Sequence, residues 1–294
     1  MQLRQLAALA AVAEEGSFQR AARLLGYTQP AISQQVAALE RLVGTQLIER
    51  GRGERIRPTE AGHILLEHWS AIESQLVAAR ADLGVAMAGA QAELRVGVYA
   101  SVGARVLPVV LSEHAVRWPR VDVVLHDDIA DRELFALVEA GKIELAFATF
   151  PLPPGEFESV TLFDDPFVLV VRSDSPLSAG IRNRRSLAAL PIVCFKDCLS
   201  TAHALLLIGE GGARVEPAFQ SNNSGLLQGL VRAGRGVALF PRMAYVSEPD
   251  LTAVELGELV PPRETGLIWH AHRTLSPAAE AFVETAKKVC AKLR

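Results

Sequence analysis

Ser17-Phe18-Gln19-Arg20-Ala21-Ala22-Arg23-Leu24-Leu25-Gly26-Tyr27-Thr28-Gln29-Pro30-Ala31-Ile32-Ser33-Gln34 is the stretch on which the reading of this chain turns. Ser17 is a helix-capping residue, Phe18, Ala21, Ala22 and Leu25 fall on one helical face, and Gly26 ends the helix. After three intervening residues Pro30 stands where a first helical turn tolerates proline, and Ala31, Ile32, Val36, Leu39 and Leu42 or Val43 carry an apolar stripe as far as Gly44. Two short helices therefore share a tight turn. In such a pair the first helix braces the phosphate backbone and the second lies in the major groove, its first polar residues turned toward base edges. Here those residues are Gln29, Ser33 and Gln34. The pair Ala21-Ala22 supplies the small side chains that a steep, close helix crossing needs.

Upstream, Leu3, Leu6, Leu9, Ala10 and Ala13 recur at helical spacing. Arg4 followed by the apolar run Leu6 to Ala13 has the outline of a signal peptide, but it flows into Glu14-Glu15-Gly16-Ser17 without a processing site and reads as a first helix. Downstream, Leu47-Ile48-Glu49-Arg50 and Arg55-Ile56-Arg57 predict a short hairpin around Gly51-Arg52-Gly53-Glu54. Arg50, Arg52, Arg55 and Arg57 make it a basic wing suited to phosphates, with a solvated charge cluster as the alternative.

The 294 residues exceed the ~150 of an average single domain, so two or more domains are expected. Against 30 basic residues stand 33 acidic ones, which argues against a chain that coats nucleic acid along its length. The distribution is uneven: residues 1–60 hold eight arginines and six acids, leaving an acidic body. Half the residues are apolar, enough for sizeable cores, and no run approaches the ~18 of a membrane span. Cys194, Cys198 and Cys290 are too few and too scattered for a secreted disulfide framework, and a reducing cytoplasm is the expected location.

The head resembles the LysR-type transcriptional regulators. The residues that carry the resemblance are Ser17, Ala21, Ala22, Leu25, Gln29-Pro30-Ala31-Ile32-Ser33, Leu39-Glu40, Gly44, Leu47-Ile48-Glu49-Arg50 and Thr59-Glu60-Ala61-Gly62. Ile48 stands where phenylalanine is common in that family, and Pro58 where leucine is common. The resemblance covers the whole chain and is strongest over residues 1–65.

It implies an α/β protein with three parts: a winged helix-turn-helix over residues 1–60, a linker helix over 61–90, and an effector-binding domain over 91–294. That domain would comprise two α/β subdomains like periplasmic binding proteins, one of residues 91–163 and 266–294, the other of 164–265. On this reading Gln29, Ser33 and Gln34 meet base edges and Pro30 makes apolar contact. Ser17, Thr28, Arg50, Arg52 and Arg55 complete the DNA-binding set.

Thr59 is placed to cap a helix running to about Ala88, in which Leu65, Ile72, Ala79 and Ala86 form one heptad row and Trp69, Leu76 and Leu83 another. Leu65, Trp69, Ile72, Leu76 and Leu83 are thus expected in a seam with a second copy, the alternative being a helix laid on its own body. From residue 93 short apolar strands alternate with helices: strands near 94–98, 121–125, 145–148, 162, 167–171, 192–194, 219, 236–241 and 266–270, and helices near 102–118, 131–141 and 277–293. A cleft at the strand ends would collect Ser101, Thr149, Phe150, Ser200, Thr201, Asn222, Asn223 and Phe240, with Ser200 and Thr201 ahead of their helix. Together these favour a small polar or carboxylate-bearing effector, although each hydroxyl or amide is also a reasonable helix cap.

Enzymatic readings fail one by one. Gly209-Glu210-Gly211-Gly212 follows no strand, no Gly-x-Ser-x-Gly elbow or P-loop occurs, and Asp127-Asp128 and Asp164-Asp165 read as strand-end turns. His270 and His272 lack a third ligand at metal spacing in the local sequence, so no metal or cofactor is expected. Cys194 and Cys198 lie where peroxide-sensing members of the family carry a reactive cysteine, but Leu205 to Glu210 supplies no second one; Cys194 would have to resolve the bond, and packing cysteines are the plainer account. The expected partners are double-stranded DNA, the effector and further copies of the chain as a dimer or tetramer, with RNA polymerase an open one and no membrane. The rival reading is a ligand-binding or catalytic α/β protein whose N-terminal helices only dimerise.

Overall fold

The computed structural model describes residues 1–49, 56–86, 92–127, 130–209 and 215–292, without side-chain placement for 71, 74, 75, 77–86 and 92. The chain divides into two units, Met1–Arg80 and Ala81–Arg294.

In the first unit α1 (Leu3–Glu15), α2 (Phe18–Leu25) and α3 (Gln29–Val43) are each closed by a left-handed glycine, Gly16, Gly26 and Gly44. The Ser17 hydroxyl accepts the Arg20 amide at 3.4 Å and caps α2. Strands β1 (Ile48–Glu49) and β2 (Arg57–Pro58) pair antiparallel, Ile48 opposite Pro58 and Glu49 opposite Arg57. Arg50, Arg52 and Arg55, expected on the wing, lie outside the described residues. The long helix α4 (Glu60–Ala86) begins at Thr59, whose hydroxyl accepts the Gly62 amide and donates to the Gln46 carbonyl at 2.8 Å. Gly62 is required by proximity: a Cβ there would stand 2.1 Å from the Leu47 carbonyl oxygen.

One apolar core ties these elements together. Leu9, Val12, Ala21, Val36 and Leu39 are fully buried in it, and Ala22 nearly so, so both alanines stand inside the three-helix core. Trp69 belongs to the same core at 7% exposure, with Leu65 and Ile72 packed against it. This corrects the expectation that all five linker positions face a second copy: the first turns of the helix pack into the head's own core. Leu76 is exposed, and Leu83 has no described side chain.

The second unit holds two five-stranded mixed sheets. Its first half runs β3 (Ala92–Gly97), α5 (Ala100–Arg105), α6 (Leu107–Arg117), β4 (Val121–His126), α7 (Asp131–Glu139), β5 (Leu145–Thr149) and β6 (Phe157–Asp165). The chain then crosses into β7 (Phe167–Arg172), α8 (Arg184–Ala188), β8 (Ile192–Cys194), α9 (Leu199–Ile208), β9 (Phe219–Gln220), α10 (Ser224–Arg232), β10 (Val237–Pro241) and β11 (Leu251–Glu255). It returns as β12 (Arg263–His270) and closes with α11 (Pro277–Ala291). The first sheet is ordered β4-β3-β5-β12-β6 and the second β11-β7-β10-β8-β9. Strands β3, β4 and β5 are parallel, whereas β12 runs antiparallel to β5 and β6. Every residue of β5 and β10 is buried, as expected of strands covered on both faces.

Several expectations need adjusting. The single helix near 102–118 is two, broken at Val106, because Pro108 has no amide to continue the α5 ladder. Ser200 and Thr201 lie inside the first turn of α9, not ahead of it. The first sheet extends beyond residue 163 and begins its return before 266, because β6 and β12, past a bulge at Thr265/Gly266, stay paired out to Asp165 opposite Arg263.

Candidate DNA-reading helix and ligand cavity

In the first unit the apolar face of α3 is locked by Ile32, Val36 and Leu39, each at most 1% exposed, which fixes the opposite face in rotation. Thr28, Gln29, Pro30 and Gln34 are exposed at and near its N-terminal end, and Ser33 is half-buried beside them. The Thr28 side chain makes no cap, so the first amides of α3 stay open to a phosphate oxygen. Arg57 on β2 is exposed as well. Ser17 differs from the rest of the expected set, since its hydroxyl is committed to capping α2.

In the second unit a cavity of about 290 Å³ opens between the two sheets' strand ends. Tyr99 to Ser101, Asp131 and Thr149 reach it from the first sheet's side, and Phe195 to Cys198, Ser200, Asn222 and Met243 from the second. Arg263, 6% exposed, anchors its floor. Its Nε and Nη2 donate to Asp165 Oδ2 at 3.0 and 2.7 Å, and Nη2 also donates to Ser101 Oγ at 2.7 Å. The guanidinium carbon lies 5.0 Å from the centre of the Tyr99 ring. Tyr99 donates its hydroxyl to Thr265 Oγ1 at 3.1 Å, and desolvation pushes the phenol up to about 12. Asp165 Oδ1 accepts the Met243 amide, so the ion pair also holds a segment of the second half against the first.

Of the eight residues expected around an effector, Ser101, Thr149, Ser200 and Asn222 line this cavity. Thr201 is buried behind the wall, its hydroxyl without a hydrogen-bond partner. Asn223 caps α10 by accepting the Leu226 amide. The Phe150 ring lies over Gly266, occupying the space a Cβ there would need. Phe240 is fully buried and stacks on Phe195, 4.9 Å between ring centres, so it supports a wall residue without reaching the space itself.

Sequence reasoning missed Tyr99, Asp131, Asp165 and Arg263. Asp165, read as part of a strand-end turn, is 1% exposed and half of a buried ion pair. The one local signal was an arginine opening a strand after Pro261-Pro262; its carboxylate partner, 98 residues away, gives no local sign. Cys198 lines the cavity with its Sγ 3.3 Å from Ser200 Oγ. Cys194 is fully buried, and desolvation pushes its thiol up to about 11. His270 and His272 share the exposed Glu156 carboxylate at 3.7 and 3.5 Å, a neighbour their local sequence does not contain. Among the described residues no helix is long and apolar enough to cross a membrane.

Comparison with known proteins covers both units. Residues 3–63 match the family described as bacterial regulatory helix-turn-helix protein, lysR family, and residues 87–291 match the LysR substrate binding domain. A Mycobacterium avium protein named as a probable hydrogen peroxide-inducible genes activator is 31% identical, over 96% of this chain and 91% of its own. A full-length OxyR variant from Pseudomonas aeruginosa superposes with a TM-score of 0.73 at 21% identity, covering 98% of both chains. Full-length CbnR complexed with its target DNA gives 0.65 at 25% identity, covering 98% of this chain and all of that one. A helix-turn-helix head matching the lysR family, followed by a body of two mixed sheets around a cavity that matches the LysR substrate binding domain, places the chain in the LysR family of transcriptional regulators.

Proposed function

We propose that this regulator reads an inverted-repeat promoter site as a cytoplasmic homo-oligomer, presenting α3 to the major groove, and that a small polar effector in the body cavity shifts its DNA affinity without any catalysed reaction. The exposed first turn of α3, held rigidly by its buried face, carries this reading. Gln29, Ser33 and Gln34 meet base edges, Pro30 makes apolar contact, and Thr28 with the wing arginines meets phosphates. Coupling follows linkage: the effector changes DNA affinity only by its differential binding to two arrangements of the chain. Of the expected seam positions with described side chains, Leu76 is the exposed one, and RNA polymerase is the partner through which bound regulator would act.

Fluorescence anisotropy on the duplex upstream of the protein's own coding region, against a scrambled duplex at two salt concentrations, tests the head. A preference of about 10³ or more supports it. Equal weak binding to both duplexes sinks it.

Cys198 on the cavity wall favours a second reading, in line with the name of the mycobacterial relative. In it the Cys198 thiolate attacks hydrogen peroxide, becomes a sulfenic acid and releases hydroxide. No other cysteine lies on α9, and the raised thiol of Cys194 makes it a poor resolving partner. Intact-mass analysis after one equivalent of peroxide separates the readings, since a gain of one oxygen lost in Cys198→Ser is expected only in the second.

A further inference from the structure

Asp131 is the first residue of α7, in the first half of the body, and its Oδ2 accepts the Leu199 amide at the start of α9, in the second half, at 2.8 Å. A helix N-terminus facing a cleft would ordinarily welcome an anionic group of a ligand. Here the chain has placed a carboxylate of its own on it, and that carboxylate lines the cavity.

The cations of the wall also have partners within the chain, carboxylates for two of them and backbone carbonyls for the third. Arg263 commits three hydrogen bonds to Asp165 and Ser101. Arg105 donates to the carbonyls of Met243 and Tyr245 at 3.0 and 2.6 Å. Lys196 lies 3.9 Å from Asp197, both side chains more than half exposed. Of the three cations on the wall, Arg263 is paired with Asp165 behind it and Lys196 lies beside Asp197, while Asp131 adds a second wall anion. A ligand carboxylate would find the Leu199 amide taken and a like charge beside it, while Ser101, Thr149, Ser200 and Asn222 still offer neutral hydrogen-bonding groups.

We propose that Asp131 is a specificity-determining residue that closes this cavity to carboxylate-bearing molecules and reserves it for an uncharged polar head on an apolar body. Phe195, Met243, Ala244 and Val246 supply the apolar wall such a body would use. The inference rests on reading the cavity as the effector site, and it narrows the ligand class by dropping the carboxylate that the cluster of hydroxyls and amides suggested.

The test uses the full chain and a shape-matched pair of probes, benzoate and benzamide, titrated by calorimetry at neutral pH. Two variants accompany the native chain: Asp131→Asn removes the charge but keeps an acceptor for Leu199, and Asp131→Ala frees the amide. The native chain should take the amide in preference to the acid by ~10-fold or more, the scale of one like-charge contact at close range, and both variants should lose or invert that preference. An acid preference in the native chain overturns the proposal, as does a preference unchanged by either variant or no binding of either probe to any of the three proteins. Promoter binding is measured on the same samples: its loss with the probe pattern intact would sink the regulator reading and leave this inference standing.

Discussion

Replacing Arg263 by alanine should be among the most damaging single changes in the body. The side chains of Arg263 and Asp165 are 4% and 1% exposed, so neither is screened by bulk water. Removing the guanidinium leaves a buried carboxylate with the Met243 amide as its hydrogen-bond donor, and stranding a buried charge in this way costs ~3–5 kcal/mol. For a unit of about 200 residues, each kcal/mol shifts Tm by ~2–4 °C, which puts the expected drop at ~6–20 °C. Differential scanning calorimetry of the native chain and Arg263→Ala reads it directly. The double variant Arg263→Met with Asp165→Leu should recover most of the loss, since exchanging a whole buried pair for apolar groups is often neutral. A drop of under ~1 kcal/mol for the single variant, or a double variant no better than the single, would refute the view that the pair is desolvated and interdependent.

Three further outcomes are expected. Gln29→Ala should lower discrimination between promoter and scrambled duplex by ~1–3 kcal/mol while leaving non-specific affinity and its salt slope unchanged, measured by anisotropy; equal weakening on both duplexes would make Gln29 a backbone contact. Ala21→Leu places bulk inside the three-helix core at a fully buried position and should destabilise the head by ~1–3 kcal/mol in chemical denaturation, whereas an unchanged midpoint would mean that core has room to spare. His114 is 1% exposed, stacks against Trp118, meets the Phe282 ring edge-to-face, and has its pKa lowered from 6.5 by desolvation. Its ring is therefore neutral in the folded body and takes up a proton on unfolding; stability should be fully present above pH 6.5 and fall as the pH drops below it, a loss that His114→Phe should flatten.

The head was legible because its signals are local. The capping Ser17, closing glycines, Pro30 in a first turn and apolar stripes all act within a few residues, and they suffice to place α1 to α3. The body was legible as alternating strands and helices but less so in its joints. Val106 breaks a helix whose apolar spacing continues through it, and only Pro108 gives the break away. The cavity was half legible. Hydroxyls and amides at strand ends and helix starts marked Ser101, Thr149, Ser200 and Asn222, yet the same chemistry also marked Asn223, whose side chain only satisfies its own helix. The charged floor escaped because Asp165 and Arg263 meet through the register of β6 with β12, and nothing near either residue announces the other. On α4 the heptad rows were real apolar positions, but periodicity does not say which surface covers them; Trp69 shows that the head's own core claims the first turns.

Leu65, Trp69 and Ile72 key α4 into the head as a splined shaft is keyed into a hub, and the Leu47 carbonyl against Gly62 leaves no clearance at the mouth. The first turns of that shaft cannot spin or slide without carrying the reading helix with them. Torque applied farther along α4 therefore reaches Gln29 and Gln34 as a rigid turn of the whole hub. Splicing one extra residue into α4 beyond Ile72 would rotate the hub by ~100° about the shaft relative to the helix's far end, and would change the direction in which α3 points without altering one contact inside the hub.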